Sequence, residues 1–296
     1  MRNGEAGTPE VGTVVVGVDG SSESRSAALW AAAEANRRDS ELYIVYGADL
    51  DRLAIALSAE TVESSREAGR ALLVDAAEVV RERYPKLRVV RKLSRREPVD
   101  ALLGYVAPGG CVVVGNRGRG GFSALLLGSV GLGVATRSEV PVVVVRGDPD
   151  RPDSGTVTAA VHGETDLRWL RHAARETLLR RAELRLVSVW NVLGSVGGVV
   201  TMLDDVDELA QRRLQLVAGL AEVLRSEFPG LTVHTDVKSG RSASGVLVEA
   251  SRGTDLLVVG GRRRARGLGS GVGRVAHALI HHAHCPVEVV PVEEER

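Results

Sequence analysis

Two stretches in the first half of the chain carry residue types suited to holding an anion. One is Gly17-Val18-Asp19-Gly20-Ser21, which closes a Val-rich run. The other begins Gly115-Asn116-Arg117-Gly118-Arg119 and follows the spacing Gly115-x2-Gly118-x9-Gly128-Ser129. Glycine at 115 and 118 lets the backbone turn tightly and bring N–H groups to an anion with no Cβ in the way. Gly128, Ser129 and Val130 stand where a helix should begin, and unpaired N–H groups and the helix dipole favour negative charge there. Ser129 either adds a hydroxyl to that site or caps the helix. Arg117 and Arg119 supply charge to screen a polyphosphate. Asp19 suits the opposite end of such a ligand, accepting hydrogen bonds from a ribose or an adenine amine. A plain structural reading exists for each feature alone, since strand-to-helix loops carry Gly for turn geometry and an Asp after a strand often caps or turns. Together, at one sheet edge, they favour a ligand.

Other chemistry finds less support. His277, His281, His282 and His284 include one helical i, i+4 pair of metal-binding spacing, His277 and His281, but no Cys or carboxylate of clear ligand geometry joins them. Positive side chains near a helix C-terminus also have an electrostatic reason. No Gly-Lys-Ser/Thr of a P-loop occurs, nor a nucleophile elbow with partners in a suitable order. Catalysis is therefore not expected. Trp30 and Trp169 read as packing residues on the first helices of the two halves.

The elements that would position these residues alternate strand and helix. Expected strands are Thr13 to Val18, Leu42 to Tyr46, Leu87 to Arg91, Val112 to Gly115 and Val142 to Val145. Between them lie expected helices over Ser22 to Arg38 (with Ser22 as cap), Thr61 to Arg83, Pro98 to Val106 and about Ser129 to Arg137. In the second helix Leu73, Ala76, Ala77 and Val80 share one face. Strands apolar on both faces and separated by helices imply a parallel sheet covered on two sides, and right-handed crossovers restrict it to a doubly wound form. Ligands bind such sheets beyond the carboxyl ends of the strands, where strand order reverses, which is where both stretches fall.

The pattern repeats. Val112-Val113-Val114-Gly115 is matched 145 residues later by Leu257-Val258-Val259-Gly260, and Pro141 to Val145 by Pro286 to Val290 at the same offset. Tyr84-Pro85 returns as Phe228-Pro229, and Leu42 to Val45 as Leu184 to Val187. The expected organisation is a flexible N-terminus over residues 1–10, a first domain over 11–147, a Pro-containing polar linker over 148–154 and a second domain over 155–296.

With Asp19 after the first strand, the Gly115-x2-Gly118-x9-Gly128-Ser129 loop resembles the nucleotide-binding signature of the universal stress protein family. Gly118-Arg-Gly-Gly-Phe122, Leu125-Leu-Leu-Gly-Ser-Val130 and the Pro141-Val-Val-Val-Val145 ending agree. The resemblance runs through both halves and implies a tandem member. Its implied fold is two α/β domains, each with a five-stranded parallel sheet in the order 3-2-1-4-5. One branch of the family binds ATP and another does not. By resemblance Asp19 and the backbone at Gly47 border adenosine, and Gly115, Gly118, Gly128, Ser129 and Val130, within the loop carrying Asn116 and Arg117, hold phosphates with a divalent ion, here Mg2+, nearby. The family also pairs domains, often through the last strand, and tandem members commonly dimerise further.

The second half departs from the signature. His162 stands where Asp19 does, Arg263 replaces the middle glycine, and Arg274 replaces the serine after Gly273. Bulk where phosphate should approach implies that this half does not bind ATP. Arg262, Arg263, Arg264 and Arg266 either form a solvated loop or receive another anion or an acidic partner.

Composition bounds the rest. A net charge of +0 and 3% aromatic residues argue against nucleic-acid binding, and no apolar run approaches a membrane span. No secretory leader is expected over Met1 to Glu10, and Cys111 and Cys285, in different halves, read as buried thiols, so a cytoplasmic location is expected. The functional expectation is an ATP-binding stress-response regulator, a homodimer with a protein partner, in which occupancy orders the loop from Asn116 to Leu127. The alternatives are a structural or interaction protein without nucleotide, or a slow ATPase.

Overall fold

The strands are short and rich in Val, and most of their residues are buried, which suits a sheet covered on both faces. The computed structural model describes residues 12–56, 58–118, 128–147, 151–190, 203–263 and 272–293. Five strands belong to the first half: β1 (Val14–Gly17), β2 (Leu42–Gly47), β3 (Val89–Ser94), β4 (Cys111–Gly115) and β5 (Val142–Val145). Five belong to the second: β6 (Thr156–Val161), β7 (Glu183–Trp190), β8 (Val233–Ser239), β9 (Leu256–Arg263) and β10 (Val287–Glu293). The first-half helices are α1 (Ser22–Arg37), α2 (Leu50–Ala56), α3 (Ala59–Arg83), α4 (Pro98–Tyr105) and α5 (Ser129–Arg137). Those of the second half are α6 (Leu167–Arg180), α7 (Leu203–Glu227), α8 (Ala243–Ala250) and α9 (Arg274–His282).

Each half has the doubly wound order 3-2-1-4-5, and the two join into one ten-stranded sheet, β3-β2-β1-β4-β5-β10-β9-β6-β7-β8. All neighbours are parallel except β5 and β10, which pair antiparallel with Val143 opposite Glu288. One apolar layer packs α1, α3, α6 and α7 on the sheet, and the other packs α4, α5, α8 and α9. Alanines 27, 28, 31, 32 and 35 make the buried face of α1, so that helix can lie close to the strands.

Local expectations shift by a few residues. Ser21, not Ser22, caps α1, its hydroxyl accepting from the Ser24 N–H. The third strand starts at Val89 because Leu87 donates back to Tyr84 O in a turn at 3.1 Å. It then continues to Ser94, opposite Gly47. Helix α2 had no counterpart in the sequence reading, and Ala76 on α3 is only partly buried. Residues 1–10 and the linker positions 148–150 lie outside the described residues. Arg151 is docked on the second domain, donating to the carbonyls of Arg252 and Thr254.

Both cysteines are buried, as expected, and burial pushes the Cys285 thiol up to about 12. Among the described residues no helix is long and apolar enough to cross a membrane.

A buried ionic cluster lies where the domains meet. Glu34 comes from α1 and Arg38 caps its end, His172, Glu176 and Arg180 come from α6, and Glu288 from β10. Arg38 spans Glu34 at 2.7 Å and Glu176 at 2.5 Å, while Arg180 reaches Glu34 at 2.6 Å and also pairs with Glu176. Burial alone would raise the Glu34 carboxyl, but Arg180, Arg38 and Arg37 outweigh it and hold it at about 2.

Candidate functional site

The carboxyl ends of β1 and β4 open into a cavity of about 300 Å³ at the point where strand order reverses. Eight of the nine residues singled out in the sequence line it: Asp19, Gly47, Gly115, Arg117, Gly118, Gly128, Ser129 and Val130. Asn116 stands apart from the lining. Its N–H donates to Val145 O at 3.2 Å and its carbonyl accepts from Gly128 N–H at 3.1 Å, so it ties the loop to β5 and to the start of α5.

Asp19 is held by the residues that begin α1. Its Oδ1 accepts from the Ser21 N–H at 3.0 Å and from the Ser21 hydroxyl at 2.6 Å, and its own N–H donates to Ser24 Oγ at 3.3 Å. The carboxylate rests against Gly118, where any added Cβ would collide with Asp19 Oδ2. The sequence reading separated Asp19 from the glycine loop, as nucleoside end from phosphate end. In the fold they touch, because β1 and β4 are neighbours and deliver both to one edge.

Two further glycines are set by packing. A Cβ at Gly47 would lie 2.5 Å from Pro98 Cα, so only glycine lets α4 start against β2. At Gly115 it would lie 2.9 Å from the Glu23 carbonyl. Gly128 differs: its φ is −70°, and the nearest atom to an added Cβ is 3.8 Å away. The described fold gives no steric reason for glycine at 128.

Helix α5 begins at this cavity without a side-chain cap. Gly128 is the capping residue and Ser129 the first helical one, so the hydroxyl is not used as a cap. The first intrahelical bond runs from Leu132 N–H to Gly128 O, which leaves the N–H groups of Ser129, Val130 and Gly131 with no partner inside the helix. All three residues line the cavity, and no acidic side chain occupies the first turn. The dipole end is thus available to an anion. Apolar lining comes from Val18, Val45, Pro98, Leu102 and Val114. Sequence reasoning missed these, along with Ser24 and Tyr46, because they are ordinary core or helix-start residues whose only signal is the crossover that brings α4 beside β1. Arg119 and the rest of 119–127 lie outside the described residues.

The second half is built differently at every equivalent point. The N–H of His162 donates to Asp166 at 2.5 Å, and its carbonyl accepts from Arg213 at 2.5 Å. The Trp169 indole donates to Asp166 at 3.1 Å and packs on Gly260, where a Cβ would sit 2.7 Å from Nε1. Trp169 is a packing residue, as expected. Arg263, standing for the middle glycine, is still in β9 and opposite Glu293. Gly273 caps α9 in a left-handed conformation, φ +87°. Arg264 and Arg266 lie outside the described residues.

On α9 the His277 and His281 rings lie 4.4 Å apart. Burial, followed by His277 and His282, lowers the pKa of His281. The end of this helix is capped from the first domain: Arg146 donates to Ile280 O at 2.5 Å and Ala283 O at 2.6 Å.

Fold and crevice together define a class, the tandem doubly wound α/β proteins with a glycine-lined cavity at the switch point of the first domain. The chain belongs to the universal stress protein family, whose model matches residues 10–146 and again 155–291. It is 31% identical over 288 residues to universal stress protein Rv2005c of Mycobacterium tuberculosis, covering 93% of this chain and 96% of that one. A universal stress protein of Mycolicibacterium smegmatis is 41% identical over 133 residues, 45% of each chain. Among solved structures, a universal stress protein from Archaeoglobus fulgidus superposes with a TM-score of 0.69 at 20% identity, covering 95% of this chain and 96% of that one, a likeness of fold.

Proposed function

We propose that the first domain binds ATP, together with Mg2+, and that the second domain does not. The observation that carries this reading is the cavity itself: an uncapped helix N-terminus, a loop glycine pressed against Asp19, and an apolar floor meet in one space. The N–H groups of Ser129, Val130 and Gly131 suit the phosphates, with Arg117 at the rim. Val18, Val45 and Leu102 suit the adenine. Mg2+ would neutralise phosphate charge when bound. Asp19 orients the ligand through hydrogen bonds, and its position is fixed by Ser21.

In this reading the protein is a regulator, not an enzyme: occupancy of the cavity alters a surface seen by a partner. It acts in the cytoplasm as a homodimer. Since β5 and β10 already pair within the chain, the dimer must use another surface.

The test is calorimetric titration of ATP with Mg2+ into nucleotide-stripped protein. One site per chain is expected, abolished by Ser129→Arg. Two sites would remove the distinction between the domains, and no heat from a folded, stripped chain would leave an interaction protein whose signature no longer binds.

A further inference from the structure

The domain contact contains a side-chain set that the proposed nucleotide site does not use. His172 and Glu176 stand one turn apart on α6, a spacing that places both on one face, and Glu288 reaches the same point from β10. His172 Nε2 lies 2.9 Å from Glu288 Oε1 and 3.9 Å from Glu176 Oε1. One ligand atom from each residue lies within 4.8 Å of the other two. Ligands about 2.0–2.2 Å from a tetrahedral ion are themselves about 3.3–3.6 Å apart, so an ion would open the His172–Glu288 pair slightly and draw Glu176 slightly closer.

Charge and hydrogen bonding at the cluster both bear on a cation here. Glu34, Glu176 and Glu288 are all deeply buried, against the two buried guanidiniums of Arg38 and Arg180; Arg37 is one-third exposed and pairs with Glu34. Three guanidiniums thus face three carboxylates, and His172 is the basic group that pairs with Glu288. In addition, Glu288 Oε2 is buried and has no hydrogen-bond partner. A protonated imidazole satisfies Oε1 alone, whereas a metal ion can engage the oxygen that the imidazole leaves.

We propose that His172, Glu176 and Glu288 bind one Zn2+ ion, which replaces the proton between His172 and Glu288 and ties α6 to β10. One imidazole and two carboxylates suit zinc better than magnesium or calcium, which prefer oxygen-only sites. The outer partners are present: Arg38 and Arg180 hold the two oxygens of Glu176 and so fix its carboxylate. The His172 side chain is 22% exposed, which gives an ion a path from solvent.

Zinc chloride titrated calorimetrically into the metal-stripped full chain tests this, with cobalt substitution read by visible absorption. One ion per chain is expected. His172→Gln and Glu288→Gln, each verified as folded by circular dichroism and elution volume, should weaken binding by at least about 100-fold. Should Glu288→Gln fail to fold, His172→Gln decides alone, its side chain being the more exposed. A His277→Gln/His281→Gln double variant removes the competing histidine pair and should bind as the unsubstituted chain does. Absence of a stoichiometric ion, undiminished binding by folded His172→Gln, or loss of binding in the α9 double variant would each overturn the site and leave a simple His172–Glu288 ion pair.

Discussion

At the scale of single residues, the loop glycines Gly118 and Gly128 do different work, and substitutions should separate them. Gly118 lies against the Asp19 carboxylate, so Gly118→Ala forces Cβ onto Oδ2 of a carboxylate whose other oxygen, Oδ1, Ser21 holds in place. Thermal melting should show a loss of about 1–3 kcal/mol, largely recovered when Asp19→Ala is added. Gly128 has an ordinary φ and open space around it, so Gly128→Ala should change stability by less than about 0.5 kcal/mol. If phosphate approaches there, the same variant should weaken ATP binding at least about tenfold by calorimetry, separating a ligand role from a structural one. Asp19 and the glycines were legible in the sequence because spacing and strand ends pointed at them. Asn116 was legible only as a loop member; its task of joining β5 to α5 depends on two backbone bonds between distant segments.

At the scale of elements, the informative features are helix ends. Helix α5 presents an uncapped start to the cavity, whereas α9 begins at a left-handed glycine and has its end capped by Arg146 from the other domain. Arg146→Ala leaves the carbonyls of Ile280 and Ala283 without that donor. The expected cost is about 1.5–3 kcal/mol in urea unfolding, with faster amide exchange in the last turn of α9. Wild-type exchange in the substituted protein would show that solvent serves these carbonyls equally well. Strand and helix existence followed from hydrophobic pattern, but edges moved where local bonds competed, as at Leu87 and Ser21. Helix α2 escaped notice because its seven residues are too short for a periodic signal.

At the scale of the molecule, antiparallel pairing of β5 with β10 turns two five-stranded sheets into one and brings α1 beside α6. Glu34→Gln would leave the buried Arg38 and Arg180 with one carboxylate fewer, and should destabilise the chain by about 3–5 kcal/mol. The acid side of the unsubstituted protein follows from the same residue. Its folded pKa of about 2 lies below the usual carboxylate value of 4.5, so its stabilisation is complete above about pH 4.5 and is lost as pH falls towards 2. Urea midpoints measured between pH 6 and pH 3 should fall in the unsubstituted chain and fall less in Glu34→Gln. Equal slopes would show that Glu34 takes no part in acid unfolding.

The sequence by itself determined the duplicated α/β plan, the strand order expected from its family resemblance, and the residues of one glycine-lined site, because hydrophobic period, strand endings and loop spacing are local patterns. The contact between Asp19 and Gly118, the apolar floor from α4, the Arg146 cap on α9 and the buried cluster of His172, Glu176 and Glu288 were decided by tertiary structure. Each joins segments tens to more than a hundred residues apart, and nothing local in a charged residue on a helix tells whether it faces water or the helix of another domain. That choice is made only when β5 meets β10 and the Glu34 and Glu176 side chains are buried together.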